Sequence, residues 1–149
     1  MVKMIMHGCN GAMGQVISKI VEEDENITIA AGIDVNDTIQ NSYPVFPSLE
    51  ACTVEADVIV DFASAKAVNG LLSYCSEKRI PVVVCTTGLS EEQIQLVEET
   101  SRQVAVLRSA NMSLGINVLI SLAKSAAAAL GSDFDGADMP LWLPGKAPQ

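Results

Sequence analysis

Apolar residues along this chain follow two alternating periods. Short β-branched runs are separated by stretches where apolar positions recur at helical spacing, the pattern of βαβ units around a parallel sheet. Val2 to His7 predicts a first strand, and Val16, Ile17, Ile20 and Val21 predict the apolar face of a helix from about Ala12 to Glu23. Ile27 to Asp34 predicts the second strand. Tyr43-Pro44-Val45-Phe46-Pro47 predicts a loop, because two prolines oppose regular structure. Asp57 to Phe62 is a continuous apolar run, as expected for a strand covered on both faces. Val68, Leu71, Leu72 and Cys75 then stand at helical spacing, with Pro81 marking that helix's end. Pro81 to Cys85 predicts a fourth strand, and Gln103 to Leu107 a fifth. Between them, Ser90-Glu91-Glu92-Gln93 predicts a helix opened by a capping box. A last helix is expected from about Leu114 to Leu130, with Leu119, Leu122, Ala123, Ala126 and Leu130 facing inward. Right-handed crossovers then predict an α/β fold: a doubly wound, Rossmann-like parallel sheet with helices on both faces.

Composition narrows the class. The chain has 149 residues, 49% hydrophobic, with a net charge of −9. This length is typical of one domain, and it suits half of a two-domain enzyme better than a whole one. The acidic balance argues against nucleic acid or an anionic membrane as partner, and the apolar content against disorder. No secretory signal is readable, and the apolar stretch Leu114 to Leu130 is interrupted by Asn117, Lys124 and several serines, a poor membrane span. Cys9, Cys52, Cys75 and Cys85 form no C-x-x-C pair, so neither a metal site nor a disulfide framework is expected, and a reduced, cytoplasmic protein is the default. His7, the single histidine, closes an apolar run and reads as structural. From Gly131 to Gln149 the pattern breaks at Gly131, Gly136, Pro140, Pro144 and Pro148. Residues 1–130 therefore read as one α/β domain and 131–149 as an irregular tail.

The chemistry concentrates in Gly8-Cys9-Asn10-Gly11-Ala12-Met13-Gly14, between the first strand and the first helix. A pyrophosphate needs a tight turn without side chains, free N–H groups and a positive helix end. Gly8 can supply the turn, Gly11 the close backbone approach and Gly14 the packing of helix on sheet. Asn10 stands where many such loops have glycine, and it tolerates positive φ better than most residues. Asp34 lies 20 residues beyond Gly14, where a carboxylate usually accepts the adenosine ribose hydroxyls. No arginine follows it to hold a 2′-phosphate. NADH is therefore the expected cofactor, with NADPH possible.

Three later segments join the glycine loop in one resemblance: Val58-Ile59-Val60-Asp61-Phe62-Ala63-Ser64, Val84-Cys85-Thr86-Thr87-Gly88-Leu89, and Ala110-Asn111-Met112-Ser113-Leu114-Gly115-Ile116-Asn117. Together they resemble the 4-hydroxy-tetrahydrodipicolinate reductase (dihydrodipicolinate reductase) family of bacterial lysine and diaminopimelate synthesis, over residues 1 to about 135. The resemblance implies an NAD(P)H-dependent oxidoreductase. By it, Gly8, Cys9, Asn10, Gly11, Ala12 and Met13 cradle the pyrophosphate and Asp34 holds the ribose. Cys85, Thr86, Thr87, Ser109, Ala110, Asn111 and Met112 line the nicotinamide side, with Phe62 and Met112 as apolar walls. Two departures weaken affinity: Ala12 replaces the usual arginine or lysine, and Cys85 replaces a glycine.

The resemblance also implies what these residues lack. The family's substrate domain, with a paired-histidine motif, a nearby lysine and the tetramer contact, does not follow Asp133-Phe134-Asp135. Leu141-Trp142-Leu143-Pro144-Gly145-Lys146 instead resembles the family's C-terminal return segment. No catalytic residue is therefore expected in this chain, which should bind cofactor without useful turnover and form a monomer or dimer. A non-catalytic NAD(H)-binding or redox-sensing module is the alternative, and another Rossmann oxidoreductase or a CoA-binding domain a third.

Overall fold

A computed structural model describes residues 1–109 and 114–130. The chain divides into two units, Met1–Ala110 and Asn111–Gln149. In the first, the described strands are β1 (Val2–His7), β2 (Ile27–Ile33), β3 (Val45–Phe46), β4 (Val58–Asp61), β5 (Val82–Val84) and β6 (Val106–Arg108). All pair in parallel, in the order β3-β2-β1-β4-β5-β6. The helices of this unit are α1 (Ala12–Glu22), α2 (Val68–Lys78), preceded by a 3-10 turn over Ala65–Ala67, and α3 (Glu91–Ser101). In the second unit α4 spans Leu114–Leu130, the range its periodicity predicts. Leu119 and Leu122, expected to face inward, are however 61% and 62% exposed, and Ala123 and Ala126 are exposed as well. Helical spacing gathers apolar residues on one face without supplying what covers it.

Alternation along β1 explains the double winding. Ile5 joins one apolar cluster, with Ile59, Val82, Val68, Leu71 and Leu72. Its neighbours Met4 and Met6 join the other, with Val21 and Ile29. Successive side chains of a strand point to opposite faces, so a strand buried on both faces needs this unbroken apolar run. The predicted face of α2 is the observed one: Val68, Leu71, Leu72 and Cys75 are each at most 1% exposed. Burying each aliphatic side chain there contributes roughly 1.5–3 kcal/mol.

Three further expectations are corrected. Val45 and Phe46 form an edge strand rather than part of a loop. Proline lacks a donor but keeps its acceptor, and the Gly32 N–H donates to the Pro44 carbonyl at 2.9 Å, as the Asp34 N–H does to Phe46 at 3.0 Å. The α1 face is also rotated: Gly14, Ser18 and Val21 are buried, whereas Val16 and Ile20 are 49% and 61% exposed. The last strand starts three residues later than expected, because Gln103 and Val104 still donate to the Thr100 carbonyl in the turn that ends α3.

The capping box forms as predicted. The Gln93 N–H donates to Ser90 Oγ at 3.2 Å, and the Ser90 N–H donates to Gln93 Oε1 at 3.1 Å. Ser90→Ala should lower unfolding free energy by about 1 kcal/mol with no change in m-value, measured by urea denaturation.

Candidate functional site

The sheet reverses its order between β1 and β4, so the loops leaving these strands diverge and open a crevice at their carboxyl ends. A cleft of about 500 Å³ occupies this position. Gly8 and Gly11 line it from the first loop, Asp34 from the end of β2, and Phe62 and Ala63 from the end of β4. The segment Pro47–Glu50 closes one side.

Two glycines shape the loop. Gly8 has φ +82°, and a Cβ there would lie 2.8 Å from the Ala63 nitrogen. A Cβ on Gly14 would lie 2.3 Å from the Gly8 carbonyl oxygen, so the first turn of α1 sits directly on the loop backbone. Gly11 is the N-cap of α1 and offers no side-chain acceptor. The amino end of α1 therefore differs from that of α3, whose donors Ser90 and Gln93 satisfy. An uncapped helix start aims N–H groups and a positive dipole end at whatever lies beyond it.

Asn10 does not use the conformational freedom expected of it: among the described non-glycine residues only Arg79 has positive φ, and in the loop Gly8 takes that role. Asn10 is held by polar contacts instead. Its N–H donates to Asp34 Oδ2 at 2.9 Å, its amide donates to the Asn36 carbonyl, and its Oδ1 accepts from Asn41 Nδ2 at 2.8 Å. Asp34 Oδ1 accepts the Asn36 N–H at 2.9 Å. A carboxylate offers about four acceptor positions, so Asp34 keeps capacity for further donors while tying the loop to β2.

A second polar cluster lies at the ends of β1, β4 and β5. Register places His7 opposite Asp61. His7 Nδ1 and Asp61 Oδ1 are 2.8 Å apart, Thr86 Oγ1 donates to Asp61 Oδ2 at 2.7 Å, and the Ala63 N–H donates to Oδ1 at 3.1 Å. Asp61 is wholly buried. Sequence reasoning noted Asp61 only within a motif and His7 only as structural; cross-strand register, which no local pattern encodes, joins them. The cleft-lining Ser48 and Glu50 were likewise missed, since nothing in their local sequence marks them.

The predicted residues are distributed unevenly around this crevice. Gly8, Gly11, Asp34 and Phe62 share the cleft. Cys9 is buried behind it, and Ala12 and Met13 open α1. Cys85 and Thr86 are buried at the end of β5, where the Thr86 hydroxyl is committed to Asp61, and Thr87 is exposed. Ser109 follows β6, its N–H donating to the Val84 carbonyl at 3.0 Å. Ala110, Asn111 and Met112 lie outside the described residues. Among the described residues no group of three or more His, Cys, Asp or Glu could hold a metal ion, and no helix is long and apolar enough to cross a membrane.

Burial makes the thiols poor nucleophiles. It pushes Cys9 and Cys85 up to about 11 and Cys75 to about 12, with Asp34 adding to the effect on Cys9 and Asp61 to that on Cys85 and Cys75. Native alkylation at neutral pH, mapped by mass spectrometry, should label half-buried Cys52 first and leave the other three intact. The sign for stability follows from the raised values. Below pH 9 these thiols are protonated in both folded and unfolded chains, whereas above it the unfolded chain ionises first and stability falls.

Comparison with known proteins agrees with this geometry. Residues 2–112 match the family "Dihydrodipicolinate reductase, N-terminus". The 4-hydroxy-tetrahydrodipicolinate reductase of Caldanaerobacter subterraneus subsp. tengcongensis is 48% identical over 130 residues, which cover 87% of this chain and 51% of that protein. That of Clostridium tetani is 44% identical over 135 residues, 91% of this chain and 53% of the relative. The dipicolinate-bound dihydrodipicolinate reductase from Paenisporosarcina sp. TG-14 superposes with a TM-score of 0.73 at 26% identity, over 86% of this chain and 54% of that one. The chain thus spans about half the length of the relatives it matches. With the glycine loop and the reversal of strand order both falling within the matched segment, the chain belongs to the dihydrodipicolinate reductase N-terminal family.

Proposed function

We propose that this chain is the nucleotide-binding half of an NAD(P)H-dependent 4-hydroxy-tetrahydrodipicolinate reductase, and that it binds the cofactor without turning over substrate by itself. The observation that carries this reading is Asp34, whose carboxylate is anchored to the glycine loop at Asn10 yet lines the cleft with acceptor capacity left. In this reading Asp34 accepts the adenosine ribose hydroxyls, the backbone of Gly8 to Met13 faces the pyrophosphate, and Phe62 is an apolar wall on the nicotinamide side. Cys85, Thr86, Thr87 and Ser109, with Ala110, Asn111 and Met112, are assigned to the nicotinamide side. Bound there, the nicotinamide supplies the hydride. The chain's own residues contribute binding and orientation.

Selectivity follows from charge. Asp34 and Glu50 line the cleft and, among the described residues, none that lines it is Lys or Arg, so a 2′-phosphate would meet acids without a compensating cation from them. Turnover needs more than binding. Hydride transfer to a cyclic dicarboxylate requires a proton donor and cations for two carboxylates. The paired-histidine and lysine segment that would provide them in the family is not in this sequence.

NADH at about 100 times its dissociation constant should stabilise the protein by ~2.7 kcal/mol in a thermal-shift assay. NADPH should require a higher concentration for the same effect, and Asp34→Ala should abolish the NADH effect while the variant keeps its fold. No stabilisation by either nucleotide would leave only the fold. In a separate assay, reductase activity of this polypeptide alone should stay at background, and rates near those of a complete reductase would overturn the assignment of catalysis to other residues.

A further inference from the structure

We propose that His7 contacts the dinucleotide directly and supplies, when protonated, the positive charge that the cleft otherwise lacks. This rests on the nucleotide reading above and adds a residue and a pH dependence to it. His7 is 8% exposed and lines the cleft beside Gly8 and Gly11. Asp61 accepts from the Nδ1 side of the ring, so Nδ1 carries the proton of the neutral form and Nε2 is the remaining functional atom. Among the described residues no buried side-chain nitrogen or oxygen lacks a hydrogen-bond partner. Nε2 takes none, so it is open to solvent, and the cleft is the space that His7 lines.

The surroundings explain why such a group matters. Facing His7 are Asp61 from β4, Asp34 from the end of β2 and Glu50 from the segment before β4. The carboxyl of Glu50 is held below its usual range by its own backbone N–H, then by the Ser48 hydroxyl, with a smaller contribution from His7. Thr86 and the protonated Cys85 thiol stand at the end of β5, and α2 and the turn before it present Ala67, Gly70 and Leu71. None of these is a cation, and Ala12 puts no charge on the first turn of α1. Among the described residues, a pyrophosphate arriving at Gly8 and Gly11 would therefore find backbone dipoles and no cation. A second proton on His7 converts Nε2 into a charged donor, and Asp61 is already placed to stabilise the imidazolium. The ligand group recognised is the phosphate diester of an adenosine dinucleotide. Adenosine itself gains nothing from the charge.

His7 is the single histidine of the chain, so its ring C–H resonance can be followed without ambiguity. The full chain would be titrated by NMR from about pH 5 to about pH 9, alone, with saturating ADP-ribose and with saturating adenosine. ADP-ribose is chosen because its diester phosphates do not titrate in this range. Its binding should move the His7 midpoint up by about one pH unit, and adenosine should leave the midpoint in place. Linkage then requires ADP-ribose to bind about tenfold more tightly at the acidic end than at the alkaline end. His7→Asn should keep the dispersed amide spectrum of a folded chain and should lose the pH dependence of ADP-ribose affinity. An unchanged His7 midpoint while backbone amides report ADP-ribose binding would overturn the proposal and leave the nucleotide reading intact. An equal shift with adenosine would overturn the phosphate contact. Absence of any ADP-ribose response in the spectrum would refute the nucleotide reading, and this proposal with it.

Discussion

A carboxylate with no access to water joins three strands at the point where the sheet reverses its order. Asp61 is wholly buried, and burying a charge is costly unless it is paired and hydrogen-bonded. Its donors come from separate parts of the chain: the His7 ring on β1, the Ala63 N–H just after β4 and the Thr86 hydroxyl just after β5. Each must be in place before Asp61 is satisfied, so the carboxyl ends of these strands are held in register with one another. The cleft opens directly above this arrangement and takes its shape from it. Breaking one contact would strand a buried acceptor and at the same time loosen the mouth of the site.

The second constraint is steric. Gly14 packs against the Gly8 carbonyl so closely that no side chain fits, and Gly8 abuts Ala63 in the same way. Helix α1, the first loop and the start of the segment after β4 are thereby brought together with almost no side-chain volume between them. The polar contacts of Asn10 with Asp34, Asn36 and Asn41 complete the frame by tying the loop to the end of β2. Such a loop is ordered before any ligand reaches it, which lowers the entropic cost of binding. The first helix keeps its donors uncapped within this rigid frame, whereas α3, remote from the cleft, caps its own.

Much of this was legible in local patterns. The apolar runs located β1, β2, β4 and β5 to within about one residue, because a strand buried on both faces must be apolar throughout. The capping box of α3 and the apolar face of α2 were equally plain, since each depends on residues within two turns of one another. The less regular elements were not legible. Val45 and Phe46 gain strand geometry through the N–H groups of Gly32 in β2 and of Asp34 just after it, which reach the carbonyls of Pro44 and Phe46. The buried face of α1 is decided by Gly14 settling on Gly8 and by the Ser18 hydroxyl meeting Tyr43 Oη at 2.7 Å, neither of which hydrophobic spacing can register. Thr86 carries the right chemistry for a ligand contact, but its hydroxyl turns inward because Asp61 needs a donor there.

By itself the sequence determined the fold class, the strand–loop–helix unit that forms the first loop, and the acidic residue that follows β2, since each is written in spacing along a continuous stretch. Only the tertiary structure decided that Asp34, expected to face a ribose, also anchors the first loop through the Asn10 N–H. It alone decided, too, that His7 and Asp61, 54 positions apart, form one buried pair on the wall of the cleft. Spacing records what neighbouring residues do together, whereas a parallel sheet brings its functional ends into contact only through crossover connections. The role of a residue at a strand end is therefore set by whichever distant strand lies beside it.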